Sequence, residues 1–160
     1  SLYFNGYSEK ALAIFEQALN EFPNNPWILS EIGRFYVFLN KHKKAIKILQ
    51  PHLNNSDIRP PRDLAYLAIA YYKTDQNSKF NNLLEELMLM SNKTLSGSPT
   101  FYTAMLYAQL GDIELAFDWL EKAYQGHEVE MFWLKVEPPF EPLRSDPRWQ
   151  EMLDKVGFPD

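Results

Sequence analysis

Residues 104–123, AMLYAQLGDIELAFDWLEKA, decide the fold of this 160-residue chain. Apolar residues recur three and four positions apart on both sides of Gly111, which is the spacing of one face of an α-helix. Gly111 marks a short turn that precedes the second apolar run. The stretch therefore predicts two amphipathic helices joined by a tight turn.

The same pattern recurs along the chain with a nearly constant period. An anchor residue follows five positions after a turn residue in four places, and the pairs are Gly6 and Ala11, Asn40 and Ala45, Asp75 and Phe80, and Gly111 and Ala116. Successive anchors are 34, 35 and 36 residues apart. Such a period is typical of stacked helical repeats, each of which buries its apolar face against its neighbours.

Other positions repeat in step with the anchors. A small residue lies twelve positions before three of the anchors, at Gly33, Ala68 and Ala104. Tyrosine lies nine positions before the same anchors, at Tyr36, Tyr71 and Tyr107, and leucine four positions after them, at Leu49, Leu84 and Leu120. We expect the small residue to let the paired helices approach closely. The tyrosine is expected to fill the gap between neighbouring units.

These positions resemble the tetratricopeptide repeat, whose period is 34 residues. The resemblance covers residues 1–127 and implies an all-α fold, a right-handed α-solenoid of antiparallel helix pairs with a C-terminal capping helix. The expected parts of this single domain are residues 1–25 as the second half of a truncated first repeat, 26–60, 61–96 and 97–128 as three further repeats, and 129–160 as the capping segment.

Three positions depart from the repeat pattern. Phe80 replaces a small residue, which predicts a spread or shifted helix pair, and His52 also occupies a small-residue position. Pro51 is expected to end its helix at the preceding residue or to kink it, because proline lacks an amide donor and clashes with the preceding turn. An irregular linker is then expected over residues 54–61, where two prolines favour an extended chain.

Residues 129–160 break the repeat and are rich in tryptophan and proline. Asp146 followed by Pro147 predicts a helix start and Gly157 its end, so the final helix is expected over residues 147–156. Four side chains of this tail are expected to cover the open end of the last repeat, as a solenoid requires, and these are Trp133, Phe140, Leu143 and Trp149.

The run from Trp133 to Trp149 also resembles the segment that closes tetratricopeptide regions in many bacterial regulatory proteins. In those proteins the repeats follow a winged-helix, nucleotide cyclase or serine/threonine kinase domain. The resemblance implies a C-terminal sensor or docking region of a larger bacterial regulator. Leu2 already occupies a late position of a first helix, so we expect further chain upstream.

Composition narrows the function classes. The absence of cysteine excludes disulfides and thiol catalysis and fits a reducing, cytoplasmic setting. A net charge of −5 argues against nucleic-acid binding by this domain, and no apolar run approaches the roughly 18 residues that cross a membrane. Basic residues concentrate between Lys41 and Arg62 and acidic ones after Asp112, which would orient an acidic partner toward the first half.

No residue pattern predicts catalysis, a metal or a cofactor. The three histidines lack the spacing of a helical metal site, and Gly111 stands alone rather than in a phosphate-binding loop. The Ser96–Ser98 segment lacks a nucleophile elbow and is expected to link two helices, with Ser98 as the cap and Pro99 as the first helical residue. The sequence therefore predicts a non-enzymatic domain without cofactors.

The resemblance places the binding surface in the concave groove lined by the first helix of each repeat. The groove residues expected to contact a partner are Trp27, Arg34, Phe38, Arg62, Ile69, Tyr72, Lys73, Phe101 and Met105. Aromatic and arginine side chains are the usual anchors of an interface. Ser30 and Ala65 do not reproduce the family's carboxylate clamp, although Arg34 and Arg62 could still hold an acidic group.

A protein or peptide segment is the partner that this groove predicts, and an upstream domain of the same chain is one candidate. Two alternatives stay open. The aromatic surface could mediate a homodimer, or the groove could hold a small ligand. The sequence predicts neither a nucleic-acid nor a membrane partner for this domain.

Overall fold

The computed structural model describes residues 2–93 and 96–158, with side chains described from residue 5 onward. These ranges are helical and contain no strand, so the predicted all-α fold is confirmed. The α-helices are α1 (Leu2–Glu21), α2 (Pro26–Phe38), α3 (His42–Asn54), α4 (Pro61–Lys73), α5 (Asn77–Asn92), α6 (Pro99–Leu110), α7 (Ile113–Gln125) and α8 (Pro147–Val156). Two 3-10 helices, Val129–Trp133 and Pro138–Leu143, lie between α7 and α8.

The chain divides into two compact units, Ser1–Asn81 and Asn82–Asp160. In the first unit α1 packs against α2, while α2, α3 and α4 all pack against one another. In the second unit α6 packs against α7 and against the second 3-10 helix, and α7 contacts α8. The repeat boundaries, and their assembly into one domain, stay predictions.

Three of the four predicted turns share one backbone geometry. Asn40, Asp75 and Gly111 adopt left-handed conformations with φ values of 58°, 59° and 76°. The amide of the residue after each turn residue donates to the carbonyl of the recurring tyrosine five residues earlier, in the pairs Lys41 to Tyr36, Gln76 to Tyr71 and Asp112 to Tyr107. This backbone bond satisfies a carbonyl at the helix end and stops the helix there.

The fourth predicted turn, at Gly6, is wrong. Gly6 lies inside α1, which continues without a break from Leu2 to Glu21. One glycine inside a helix costs only about 1 kcal/mol, which the residues on both sides of it can offset. The side chain of Leu2, assigned to a first helix, lies outside the described residues.

The close approach expected at Gly33 is confirmed. A Cβ atom built on Gly33 of α2 would overlap the Leu49 side chain of α3, and both residues are buried. Ala68 and Ala104, at the same repeat position, are fully buried as well. The small residue therefore sets how closely the paired helices pack.

We expect Gly33→Ala to lower the free energy of unfolding by about 1–3 kcal/mol, because the new methyl group must displace a fully buried leucine. Urea denaturation followed by circular dichroism measures the change. Gly6→Ala is the matched control, since a Cβ there meets nothing within 4 Å and alanine is the better helix former. Equal stability changes in the two variants would contradict the packing role of Gly33.

The expected end of the helix before Pro51 is wrong, and the alternative of a kink there stays a prediction. α3 does not end before Pro51 but continues through it to Asn54. Leu49 and Leu53, on either side of the proline, are at most 1% exposed, and their burial stabilises the helix across the missing hydrogen bond. An Arg59 guanidinium nitrogen, 3.2 Å from the Leu53 carbonyl oxygen, satisfies that carbonyl at the helix end. The irregular linker then leads to α4, which begins at Pro61.

The final helix has the predicted bounds. The Asp146 side chain accepts a hydrogen bond from the Arg148 amide at 3.0 Å, and Gly157 ends α8 in a left-handed conformation. Arg148 also bridges Asp146 and Glu114 of α7, with nitrogen–oxygen distances of 2.9 Å. Hydrogen bonds from Arg148 lower the pKa of Asp146 to about 2, so this link between α7 and α8 stays charged at neutral pH.

Candidate protein-binding site

A row of five aromatic rings crosses α1, α2 and α4 in the first unit. We call it the aromatic row, and its members in spatial order are Trp27, Phe15, Phe35, Phe38 and Tyr66. Neighbouring ring centroids along it lie 5.1, 5.8, 5.8 and 5.5 Å apart. Edge-to-face and stacked rings at these distances attract each other beyond the area that they bury. The aromatic row therefore packs α1, α2 and α4 together through successive ring contacts.

The aromatic row is open to solvent at one end. Trp27 is 61% exposed and Phe38 is half-buried, whereas Phe35 and Tyr66 are buried. An exposed tryptophan held by an edge-to-face contact with Phe15 loses little conformational freedom when a partner covers it. Trp27 is therefore open to a partner, and its role in binding stays a prediction.

A cluster of charged side chains borders the aromatic row. Glu31, which is nearly buried, accepts bonds from two guanidinium groups, at 2.5 Å from Arg34 and 2.7 Å from Arg62. The side chains of Arg34 and Arg62 keep 22% and 32% of their surface exposed. Two predicted groove residues are therefore held in place by one carboxylate that the groove prediction did not include.

Arg34 joins the charged cluster to the aromatic row. Its guanidinium carbon lies 5.2 Å from the Phe35 ring centroid and 5.4 Å from that of Phe38. A planar guanidinium that stacks on rings while it pairs with a carboxylate is fixed in direction. Phe38, an apolar residue, and Arg34, a charged residue, therefore lie side by side on α2, where a partner could contact both.

Asp63 forms the buried side of the same cluster. It is 3% exposed and accepts a short hydrogen bond from the Ser30 hydroxyl. One of its oxygens lies 3.2 Å from Nε2 of His52, and Arg62 donates to the Ser30 hydroxyl at 3.0 Å. The network joins α2, α3 and α4 through one buried carboxylate, which explains a histidine at a position where the repeat has a small residue.

Serine, aspartate and histidine in one network raise the question of nucleophilic catalysis. In a catalytic triad the histidine contacts the serine hydroxyl and removes its proton. Here Asp63 lies between Ser30 and His52, and the hydroxyl donates to the carboxylate. The arrangement orients side chains and does not activate a nucleophile.

Three further predicted groove residues lie on α4. Tyr72 is half-buried with its ring centroid 5.3 Å from that of Phe80, and the Lys73 ammonium is exposed, 5.7 Å from the Tyr72 centroid. Ile69 is only 2% exposed. A partner can reach Tyr72 and Lys73, whereas the expected exposure of Ile69 is wrong because its side chain belongs to the core.

The groove predicted on α6 is closed by the chain's own tail. Phe101 and Met105 are fully buried, which contradicts their expected exposure. The second 3-10 helix packs on α6 with the Phe140 ring 5.0 Å from that of Phe101, and Gln109 donates to the Pro139 carbonyl at 2.7 Å. The tail therefore occupies the surface that the prediction assigned to a partner.

The tail covers this surface with a partly different set of residues from those expected. Phe140, Leu143 and Trp149 are buried as predicted, but Trp133 is 60% exposed. Met131 and Leu134 are buried instead. A 3-10 helix has three residues per turn, so residues three apart share its inner face and Trp133 lies off it.

The start of α6 is also held by the tail. The expected side-chain cap from Ser98 is wrong, because Ser98 is left-handed and its hydroxyl donates to Glu130. The Glu128 carboxylate accepts instead from the Thr100 and Phe101 amides, at 3.1 and 2.7 Å. A carboxylate at a helix start satisfies free amides and favours the helix dipole.

Within residues 2–93 and 96–158, no three histidine, aspartate or glutamate side chains gather where they could hold a metal. In the same part of the chain, no helix combines the length and the apolar character needed to cross a bilayer.

Paired helices with left-handed turns and a recurring small residue define a helical-repeat protein, a class that binds other polypeptides along its helix surfaces. Sequence profiles of the tetratricopeptide repeat match residues 8–57 and 104–125. These two parts of the chain are similar to the tetratricopeptide repeat, the family that the sequence pattern predicts. Comparison with curated protein sequences gives no match.

A solved structure described as the crystal structure of the MamA protein has a similar fold. The two chains share 16% sequence identity and superpose with a TM-score of 0.50. The alignment covers 96% of this chain and 85% of that chain. At this identity the likeness concerns the fold.

The groove prediction missed Glu31, Asp63 and His52. The sequence does contain a signal for this network, which is the spacing of its members. Ser30 and Asp63 are 33 residues apart, and Ser30 and Arg62 are 32 residues apart. Polar residues that recur at nearly one repeat length on first helices face each other when the repeats stack. That spacing marks polar contacts between neighbouring repeats.

Proposed function

We propose that the first unit holds an extended peptide segment of another protein, or of another domain of the same chain, along α2 and α4. The carrying observation is the position of Arg34, which contacts both the Glu31 carboxylate and the Phe38 ring while part of it stays exposed. Trp27, Arg62, Tyr72 and Lys73 extend this surface. The segment that fits best combines a large apolar side chain with a carboxylate.

Peptide selection tests this proposal without a known partner. Random peptides displayed on phage are selected on the wild-type chain, and the most enriched peptide is synthesised with a fluorescent label for anisotropy titration. We expect Trp27→Ala and Arg34→Gln each to weaken its binding at least about tenfold, equivalent to about 1.4 kcal/mol. Raised salt should also weaken it, because a charge pair contributes.

Arg144→Gln is the matched control for this titration. Arg144 is a partly exposed arginine of the second unit whose guanidinium pairs with Glu141 at 2.6 Å. Its replacement should leave peptide binding unchanged. Enriched peptides that bind Trp27→Ala and Arg34→Gln as tightly as the wild type would reject the proposed surface.

We also infer that the chain is the C-terminal docking region of a larger, cytoplasmic bacterial regulatory protein. The support is the resemblance of the run from Trp133 to Trp149 to segments that close repeat regions in such proteins. Sequencing the gene upstream of Ser1 tests the inference. A winged-helix, cyclase or kinase pattern is expected there, and an upstream sequence without any effector domain contradicts it.

A further inference from the structure

An open cleft on the first unit shares no residue with the surface proposed to hold a peptide. It has a volume of about 440 Å³, within the roughly 300–1,000 Å³ that is usual for small-ligand sites. Its walls come from the loop between α1 and α2, the first turn of α2, and α3 with the two residues that follow it. Ten described residues line it, and these are Pro23, Asn24, Pro26, Leu29, Lys47, Ile48, Pro51, His52, Asn55 and Ser56.

One face of α3 forms a wall of the cleft. Its lining residues lie at positions 47, 48, 51, 52 and 55, and residues three and four apart share one face of a helix. The His52 side chain in this wall is only 8% exposed, and its Nε2 lies 3.2 Å from the buried Asp63 carboxylate. The ring cannot turn without losing that contact. The wall is therefore fixed before any ligand binds.

Pro51 changes the hydrogen bonding of Lys47. In an α-helix the amide of residue 51 would donate to the carbonyl of Lys47, four residues earlier, but proline has no amide hydrogen. Because α3 continues through Pro51 to Asn54, the helix supplies no such donor for the Lys47 carbonyl. Lys47 and Pro51 both line the cleft. The wall therefore offers a backbone acceptor to an N–H group of a ligand.

The charge on the cleft is positive. Lys47 is exposed, and within the described part of the chain no carboxylate pairs with its ammonium. None of the ten lining residues is acidic, and the chain between Lys41 and Arg62 holds six basic residues and one acidic residue. Such a surface attracts anions, and an ammonium group pairs well with a carboxylate.

Apolar side chains make up the rest of the walls. They are Pro23, Pro26, Leu29, Ile48 and Pro51. Proline loses no side-chain freedom when it is covered, so burying a flat ring against these residues costs little conformational entropy. An apolar lining with a few polar groups is the usual composition of a small-ligand site.

We propose that the cleft binds a small aromatic carboxylate that carries an N–H donor. The carboxylate pairs with the Lys47 ammonium, which its long flexible stem lets it reach. The N–H group donates to the Lys47 carbonyl, and the aromatic body packs against the prolines. The proposal does not depend on peptide binding, because the two sites share no lining residue.

A titration with three related indoles tests the proposal. Indole-3-acetate carries the ring, the charge and the donor, indole-3-acetamide lacks the charge, and N-methylindole-3-acetate lacks the donor. Binding is followed by the amide signals of the full chain in ¹H–¹⁵N correlation spectra. We expect indole-3-acetate to shift the signals of residues 47–56. Each of the other two should bind at least about fivefold more weakly, because one charge-assisted or one neutral hydrogen bond is lost.

Two outcomes of this titration overturn the proposal. One is the absence of shifts with indole-3-acetate at about 10 mM, which exceeds the Kd expected of a ligand of this size. The other is a set of shifts confined to residues outside the cleft, such as those around the smaller cavity beside Phe132 and Val156.

Two variants assign the contacts through ratios of affinities, which do not change when all three compounds weaken together. Lys47→Gln should bind indole-3-acetate and indole-3-acetamide about equally. Pro51→Ala gives the Lys47 carbonyl an amide donor, so it should bind indole-3-acetate and its N-methyl analogue about equally. Pro51 is exposed and alanine is the better helix former, so this variant should fold. A wild-type ratio in either variant overturns the proposed contacts.

Lys43→Gln is the matched control. Lys43 is exposed on the same helix but does not line the cleft. Its replacement should keep both wild-type ratios. If it reduced the preference for the charged compound as much as Lys47→Gln does, the overall charge of α3 would select the ligand, and the proposed site would be wrong.

Discussion

Asp63→Ala should lower the free energy of unfolding by about 3–5 kcal/mol, the usual cost of removing one partner from a buried charged network. Asp63 accepts from Ser30, lies 3.2 Å from His52 and keeps a 4.0 Å contact with the Arg62 guanidinium. Without the carboxylate the Ser30 hydroxyl and the His52 ring stay buried and lose this partner, whereas Arg62 keeps its bond to Glu31. Because the network joins α2, α3 and α4, the loss affects the packing of the first unit.

Urea denaturation followed by circular dichroism measures this change. Asp57→Ala is the control, since Asp57 is exposed in the linker before α4 and its replacement should change stability by less than about 0.5 kcal/mol. Asp63→Asn keeps the size and one acceptor, so it should fall between the two. An Asp63→Ala variant as stable as Asp57→Ala would mean that the network contributes nothing to the fold.

Phe140→Ala should destabilise the chain by about 3–5 kcal/mol, the range for emptying a phenylalanine site in a packed core. Phe140 is fully buried, with its ring centroid 5.0 Å from that of Phe101 and 6.3 Å from that of Trp149. Its removal leaves a cavity between the tail and α6. The tail should then open more often and expose Phe101 and Met105.

Phe132→Ala makes the matched control for this substitution. The same atoms are removed, but Phe132 is 66% exposed, so the expected change is below about 0.5 kcal/mol. Urea denaturation followed by circular dichroism measures the change, and tryptophan fluorescence includes a signal from Trp149, one of four tryptophans, which adjoins Phe140. Increased binding of an apolar dye by Phe140→Ala alone would confirm that the α6 surface opens. Equal stability in the two variants would contradict the covering role of the tail.

Helix positions could be predicted well because their signals are local. The apolar spacing on either side of each turn, and the residues that tolerate a left-handed conformation, lie within a few residues of one another. The turn at Gly111 and the final helix, from Asp146 to Gly157, follow from such signals alone.

Local signals failed at Gly6 and Pro51. Each residue disfavours a helix interior, yet α1 and α3 continue through them. At Pro51 the buried side chains of Leu49 and Leu53 stabilise the helical backbone more than the missing hydrogen bond weakens it. The low helix propensity of a single residue does not end a helix when burial of its neighbours stabilises the helical backbone.

The candidate site was predicted only in part. Trp27, Arg34, Phe38, Arg62, Tyr72 and Lys73 keep at least part of their surface exposed, as their repeat positions predict. The contribution of these residues to binding stays a prediction. Glu31 and Asp63 were missed because their bonds to Arg62 and Ser30 join different helices and form only when neighbouring repeats stack.

The sequence by itself determined the repeat, because its period, small residues and turn residues record how each helix pair packs. Only the tertiary structure decided which groove surfaces a partner can reach. Phe101 and Met105 occupy groove positions, but the tail that covers them comes some 30 residues later, as the bond from Gln109 to Pro139 shows. Burial depends on segments distant in sequence, which no local pattern describes.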